Sequence, residues 1–295
     1  MKLRDDRGRL IALPAPPKRI VSLVPSDTLN VCALGGAGAL VGRTDYCELP
    51  PAVVEELPSV GGTKNPSLEA ILDLTPDLVL ANQEENTRGD LEKLAQRGVR
   101  VYVAFPKRVA DGLAHLARLA RILGVGADPE VKLLLARGYE AVREAEEARA
   151  HTTPLRVFCP IWMDPLMTIH GSTFISDMLD LAGAQNVFAD RERRYPLAAD
   201  LGQAAPLSPE KVGDRDVRYP RVTLDEVVAR QPELVLLPDE PHPFSEEDAR
   251  VFAALPIPAA KRRAIVRTSG KDLCWYGAQS VEGLPRVRAL VAQKK

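Results

Sequence analysis

Ser67-Leu68-Glu69-Ala70-Ile71-Leu72-Asp73-Leu74-Thr75-Pro76-Asp77-Leu78-Val79-Leu80 returns in the second half of the chain as Thr223-Leu224-Asp225-Glu226-Val227-Val228-Ala229-Arg230-Gln231-Pro232-Glu233-Leu234-Val235-Leu236. The register holds without a gap: a hydroxyl, Leu, an acid, an aliphatic three positions after the Leu, then Pro, an acid and Leu-Val-Leu. Each copy reads as a capped helix, stopped by its proline, followed by a buried strand. The copies lie too far apart for a solenoid, whose repeats recur every 20–50 residues or so. They predict two lobes of one design, with a ligand cleft between them.

Working outward from the first copy, Arg19-Ile20-Val21-Ser22-Leu23-Val24 is a β-branched strand, and residues 3–13 suit a hairpin around Asp6-Arg7-Gly8. A helix is expected from Thr28 to Leu34, and further strands at 39–43, 78–81 and 99–103. Short strands alternating with helices imply a mostly parallel sheet covered on both faces. Residues 108–150 differ. Leu113, Leu116, Leu119 and Leu123 have helical spacing, and Asp128-Pro129 starts a long, charged helix. That helix reads as a rigid connector. Strand–helix alternation resumes at Leu155. The expected division is therefore an N-terminal α/β lobe at 1–107, a helical connector at 108–153, and a C-terminal α/β lobe at 154–295. The last carries an excursion at about 196–221, bounded by Arg-Tyr-Pro at each end, which suits either a tolerated surface insertion or a lid.

Composition narrows the function classes. The chain has 295 residues, 45% apolar and 27% charged, with a formal net charge of −1. Nothing here favours nucleic acid or an anionic surface as partner, and no apolar run approaches the length of a membrane span. Four cysteines without a CxxC pattern suggest reduced thiols. The N-terminus carries charges where a signal peptide needs an apolar stretch, so the chain as written is expected in the cytoplasm, or in the periplasm if a leader has been removed. A monomer is expected.

Pro17-Lys18-Arg19-Ile20-Val21-Ser22-Leu23-Val24-Pro25-Ser26, with the doubled pattern and the long helix, resembles the solute-binding proteins with a helical backbone that serve ABC importers, the cobalamin-binding type being nearest. The resemblance covers about residues 17–290. It implies two Rossmann-like α/β sandwich lobes joined by a long backbone helix, and a corrinoid, haem or metal chelate as bound ligand. It further implies docking to an ABC permease through one acid per lobe, at Glu69 and Asp225. Those acids equally suit the positive end of a helix dipole. The sequence departs from the cobalamin type where Thr63-Lys64-Asn65 and Asn82-Gln83-Glu84-Glu85-Asn86 stand in place of aromatics.

In an open α/β lobe, ligands meet the loops at the carboxyl ends of the strands. The candidates from lobe one are Ser26, Asp45, Tyr46, Lys64, Asn82, Glu84 and Glu85. Those from lobe two are Trp162, His170, Arg194, Tyr219, Trp275 and Tyr276. With aromatics at 5%, Trp162 and Trp275-Tyr276 suit either ligand stacking or core packing. No histidine pair has zinc-ligand spacing; a metal site would have to be assembled from both lobes, with Asp45, Cys47, Glu84, His170 and Cys274 as one such set. No GxGxxG follows the first strand, and no P-loop or GxSxG is present, so no catalytic residue is assigned. The expected function is small-molecule binding, without enzyme activity. The alternatives are a cytoplasmic enzyme or sensor reusing the fold, and a carrier that hands a cofactor to another protein.

Overall fold

The computed structural model describes residues 1–294. Contacts divide the chain into two compact units: the first is 1–106, 110–139 and 275–281, and the second is 107–109, 140–274 and 282–295. The long helix Pro129–Arg149 contributes to both, since the division falls after Tyr139.

The first unit begins with an antiparallel hairpin, β1 (Lys2–Arg4) and β2 (Leu10–Ala12), as expected. Its sheet comprises β3 (Ile20–Ser22), β4 (Leu40–Arg43), β5 (Leu78–Asn82) and β6 (Val101–Ala104), all parallel, in the order β4-β3-β5-β6. The strands are mostly apolar because both faces are covered, with polar Ser22, Arg43 and Asn82 at the carboxyl ends of β3, β4 and β5. Alternate residues serve opposite sides: Ile20, Leu78, Leu80 and Tyr102 join one core, while Val21, Val79, Ala81 and Val103 join the other.

In the second unit, β7 (Leu155–Phe158) leads into a hairpin of β8 (Pro160–Met163) and β9 (Leu166–Thr168). The parallel sheet is completed by β10 (Ala184–Asn186), β11 (Leu234–Pro238) and β12 (Ile265–Thr268), in the order β10-β7-β11-β12. Phe158, Val235 and Leu237 pack with Phe188, Phe244 and Phe252 on one face.

The doubled pattern folds the same way twice. Ser67 and Thr223 cap helices Leu68–Asp73 and Leu224–Arg230, each accepting from the amide three residues on. Ile71 and Val227 are fully buried beneath them. Thr75 and Gln231, just before the two prolines, both take left-handed backbone (φ 44° and 46°), which turns the chain from helix to strand. The acid after each proline has a job that the pattern alone does not disclose. Asp77 Oδ2 accepts from the amides of Lys18 and Arg19, and Glu233 Oε2 accepts from the amide of Arg156. Each carboxylate thus ties the start of the neighbouring strand. The correspondence extends to Arg19 and Arg156, whose guanidinium groups donate to the carbonyls of Leu74 and Arg230 at the ends of the two repeat helices.

One expectation is corrected. The first helix starts at Pro25, not Thr28, because proline is compatible with the first helical turn. The excursion contains two short helices, Leu197–Asp200 and Pro209–Val212, held by an ionic centre. Asp200 is 1% exposed, and its carboxylate accepts from Arg191 Nη1 (3.0 Å), the amide of Arg194 (2.9 Å) and the amide of Arg221 (2.7 Å). One side chain thereby joins the entry and the exit of the segment.

Candidate ligand-binding site

Because each four-stranded sheet is parallel, all its strand carboxyl ends lie along one edge, and the loops beyond them gather there. In the first unit, Asp45 and Tyr46 follow β4. Asp45 donates its amide to the Gly61 carbonyl and accepts from the Ser59 hydroxyl, while Tyr46 is 61% exposed. After β5 the chain turns through Asn82–Asn86. Lys64 Nζ donates to the carbonyl of Glu84. Glu85 reaches solvent, but surrounding protein desolvates its carboxyl and raises its pKa, with Lys64 opposing and Glu84 reinforcing the shift.

Several candidates turn inward instead. Ser26 is buried in the first turn of its helix. The Asn82 amide is committed: Oδ1 accepts from the Glu84 amide and Nδ2 donates to the Tyr276 hydroxyl. Asn86 donates to the carbonyls of Leu23 and Thr63, stapling three loops together. Asn82 therefore shapes the loop. Trp275 and Tyr276, expected in the second lobe, lie within the first unit, and each is only 5% exposed. The Tyr276 ring meets the edge of His115 (5.5 Å between centroids), and burial raises its hydroxyl pKa well above the ordinary tyrosine value.

Beneath this loop is a polar cluster that sequence reasoning missed. Asp27 and His115 are fully buried and joined at 2.7 Å, and His115 stacks on Tyr102. Asn30 donates to Asp27 and accepts from the amide of Ala278. His115 lies on helix Val109–Leu123, and nothing in the sequence pairs it with Asp27, 88 positions away.

In the second unit, Trp162 lies in β8, the hairpin strand that follows β7, is 43% exposed, and is oriented by its Nε1 donating to the Asp164 carbonyl. His242, in the loop after β11, lies 5.4 Å from the Trp162 ring and packs edge-on against Phe244. It was overlooked because it stands alone between prolines. His170 Nδ1 pairs with the Ser172 hydroxyl and amide, which organises the turn before helix Phe174–Leu181. Arg194 is exposed, and Tyr219 is half-buried with the Arg218 guanidinium 5.5 Å from its ring.

Among the described residues, no group of three or more His, Cys, Asp or Glu is arranged to hold a metal ion. Cys47 is buried against the hydroxyls of Thr28 and Thr44. Burial pushes the Cys159 thiol up to about 12 and Cys32 to about 11, so neither is a thiolate nucleophile at neutral pH. No described helix is long and apolar enough to cross a membrane.

Two parallel α/β units of one design, with the long helix running from one into the other, define the class of two-lobed solute-binding proteins. The chain belongs to the periplasmic binding protein family, whose model matches residues 20–223. It is 28% identical over 230 residues to the vitamin B12-binding protein of Vibrio cholerae serotype O1, covering 77% of this chain and 72% of that one. The fold is similar to that of the periplasmic vitamin B12-binding protein of Vibrio cholerae, with TM-score 0.72, 22% identity, and coverage of 95% and 99% of the two chains. It is equally similar to a periplasmic haem-binding protein from Roseiflexus sp. RS-1, with TM-score 0.72, 20% identity, and coverage of 94% and 98%.

Proposed function

We propose that the protein captures a corrinoid, haem or related metal chelate with loops beyond its strand carboxyl ends, and delivers it to an ABC permease from the periplasmic side. The observation that carries this is the exposed indole of Trp162 beside His242, on the β8–β9 hairpin that follows β7, in a chain poor in aromatics. An open aromatic face suits a flat macrocycle. In the first unit, Tyr46, Lys64, Glu84 and Glu85 supply polar groups at the matching strand ends. Names of the relatives, vitamin B12-binding and haem-binding, agree with this ligand class.

Glu69 and Asp225 are the proposed permease contacts. The helix caps are made by the Ser67 and Thr223 hydroxyls, and at Thr223 by Glu226 as well. Asp225 is exposed, and Glu69, with its side chain 76% exposed, meets only the exposed Arg97 at 3.4 Å, a surface pair that a basic partner can displace.

A thermal-shift screen with cyanocobalamin, cobinamide, haemin, ferric chelates and divalent metals tests the ligand class. A ligand at 100 times its dissociation constant adds about 2.7 kcal/mol. Trp162→Ala is expected to reduce the shift without lowering the ligand-free melting temperature. If no compound on the panel moves the melting temperature, the proposal fails.

A further inference from the structure

We propose that the buried pair Asp27 and His115 are positioning residues for the strand-end loop 82–86, acting through Tyr276. The use of that loop for ligand rests on the solute-binding reading. The geometry rests on the first unit alone, to which every residue involved belongs. His115 Nε2 meets Asp27 Oδ1 at 2.7 Å, and both side chains are fully buried. Asp27 Oδ1 also accepts from Asn30 Nδ2 (3.2 Å), and Asn30 Oδ1 accepts from the amide of Ala278 (2.8 Å). With the edge-on contact between His115 and the Tyr276 ring, these bonds hold residues 276–278 in place. The Tyr276 hydroxyl then accepts from Asn82 Nδ2 at 3.3 Å.

That hydroxyl fixes which way Asn82 faces. With Nδ2 on Tyr276, Oδ1 accepts from the Glu84 amide (2.7 Å), and the Asn82 amide donates to Asn86 Oδ1 (2.8 Å). Turned over, Asn82 would set its NH2 group against an N–H, so the loop bearing Glu84 and Glu85 keeps one form while the hydroxyl is there. Burial, and then the Asp27 carboxylate, raises the Tyr276 pKa well above its ordinary value, so the hydroxyl stays protonated at neutral pH. Stability alone does not account for the pair. Desolvating two ionisable groups offsets much of their attraction, and an apolar pair of the same volume is often as stable. His115 Nδ1 is moreover sealed without a partner, a further cost. What an apolar pair lacks is direction: Asn30 and, through it, Ala278 are held by one buried acceptor, which His115 in turn holds still.

The test is amide hydrogen exchange of the full chain without ligand, read by mass spectrometry on peptides covering 82–86 and 276–278. Strand β11 of the second unit serves as the reference for global opening. Tyr276→Phe removes only the hydroxyl and should speed exchange in 82–86 about fivefold, the factor that one net hydrogen bond is worth. His115→Leu should speed exchange at both 276–278 and 82–86. His115→Gln, which keeps an N–H within reach of Asp27, should restore most of the protection. That rescue separates positioning from packing, because Leu fills the space and Gln supplies the bond. If His115→Leu folds poorly, Tyr276→Phe carries the comparison. Haemin, titrated by its absorbance, should bind Tyr276→Phe and His115→Leu severalfold more weakly than the parent, and His115→Gln like the parent. Loop exchange that stays at the parent rate in both variants, or rises no more than that of β11, overturns the role. A loosened loop with parental haemin affinity overturns it too. If haemin does not bind the parent, that ligand is lost to the solute-binding reading, while the exchange comparison still decides the positioning, so the two failures are separate results.

Discussion

Asp200 holds more backbone together than any hydrophobic residue near it in the excursion. Its carboxylate is nearly inaccessible and meets Arg191 and two amides, so removing its charge leaves the buried guanidinium to Glu226 and turns an amide NH2 toward other donors. Asp200→Asn is expected to destabilise the protein by about 3 kcal/mol or more, measured by urea unfolding. Glu85 makes the opposite prediction. Its pKa is raised in the folded state, so the charged form is disfavoured there. Its contribution is fully present below the unfolded carboxylate pKa and is lost as pH rises through the higher folded value. Glu85→Gln should therefore match the parent at acid pH and be the more stable of the two at pH 7, a difference that pH-dependent urea midpoints would reveal. A third residue, Gly277, has φ 82°, and an added Cβ would come within 2.3 Å of Asn30 Oδ1. Gly277→Ala should cost about 1–3 kcal/mol and loosen the segment that positions Tyr276 against Asn82.

At the scale of elements, the doubled helix–strand unit separates capping from charge. Thr223→Ala removes a capping box and is expected to cost about 1 kcal/mol, with Ser67→Ala costing somewhat less. Glu69→Gln and Asp225→Asn should each change stability by under about 0.5 kcal/mol, while weakening stimulation of a reconstituted permease. If the acids matter to stability and not to the permease, their role is confined to the helix dipole. Elements were legible where one residue type has one local use. Hydroxyl caps, prolines that end helices, and unbroken apolar strands all read correctly. The start of the first helix did not, because Pro25 reads as a strand breaker, whereas β3 ends at Ser22 and the proline opens the helix. The use of Asp77 and Glu233 was equally hidden, since their partners are backbone amides of a strand from an earlier part of the chain.

For the whole molecule, buried phenols set the alkaline limit. Burial pushes Tyr102 up to about 12 and raises Tyr276 well beyond its ordinary range. Their contribution is intact below the unfolded tyrosine pKa of about 10 and falls as pH rises through the folded values. Unfolding followed by circular dichroism should thus begin above pH 10, and Tyr276→Phe should make stability fall less steeply there. The sequence by itself determined two α/β units, their parallel sheets and the family, because these follow from periodicity and local capping repeated within each copy. It also located the strand-end loops. Only the tertiary structure decided which loop residues face outward. Asn82 and Tyr276 spend their polar groups on each other, Asp27 finds His115, and Asp200 binds both ends of the excursion, while Trp162 stays exposed beside His242. The physical reason is that a polar side chain is committed or left available by partners far along the chain, and sequence spacing carries no record of that pairing.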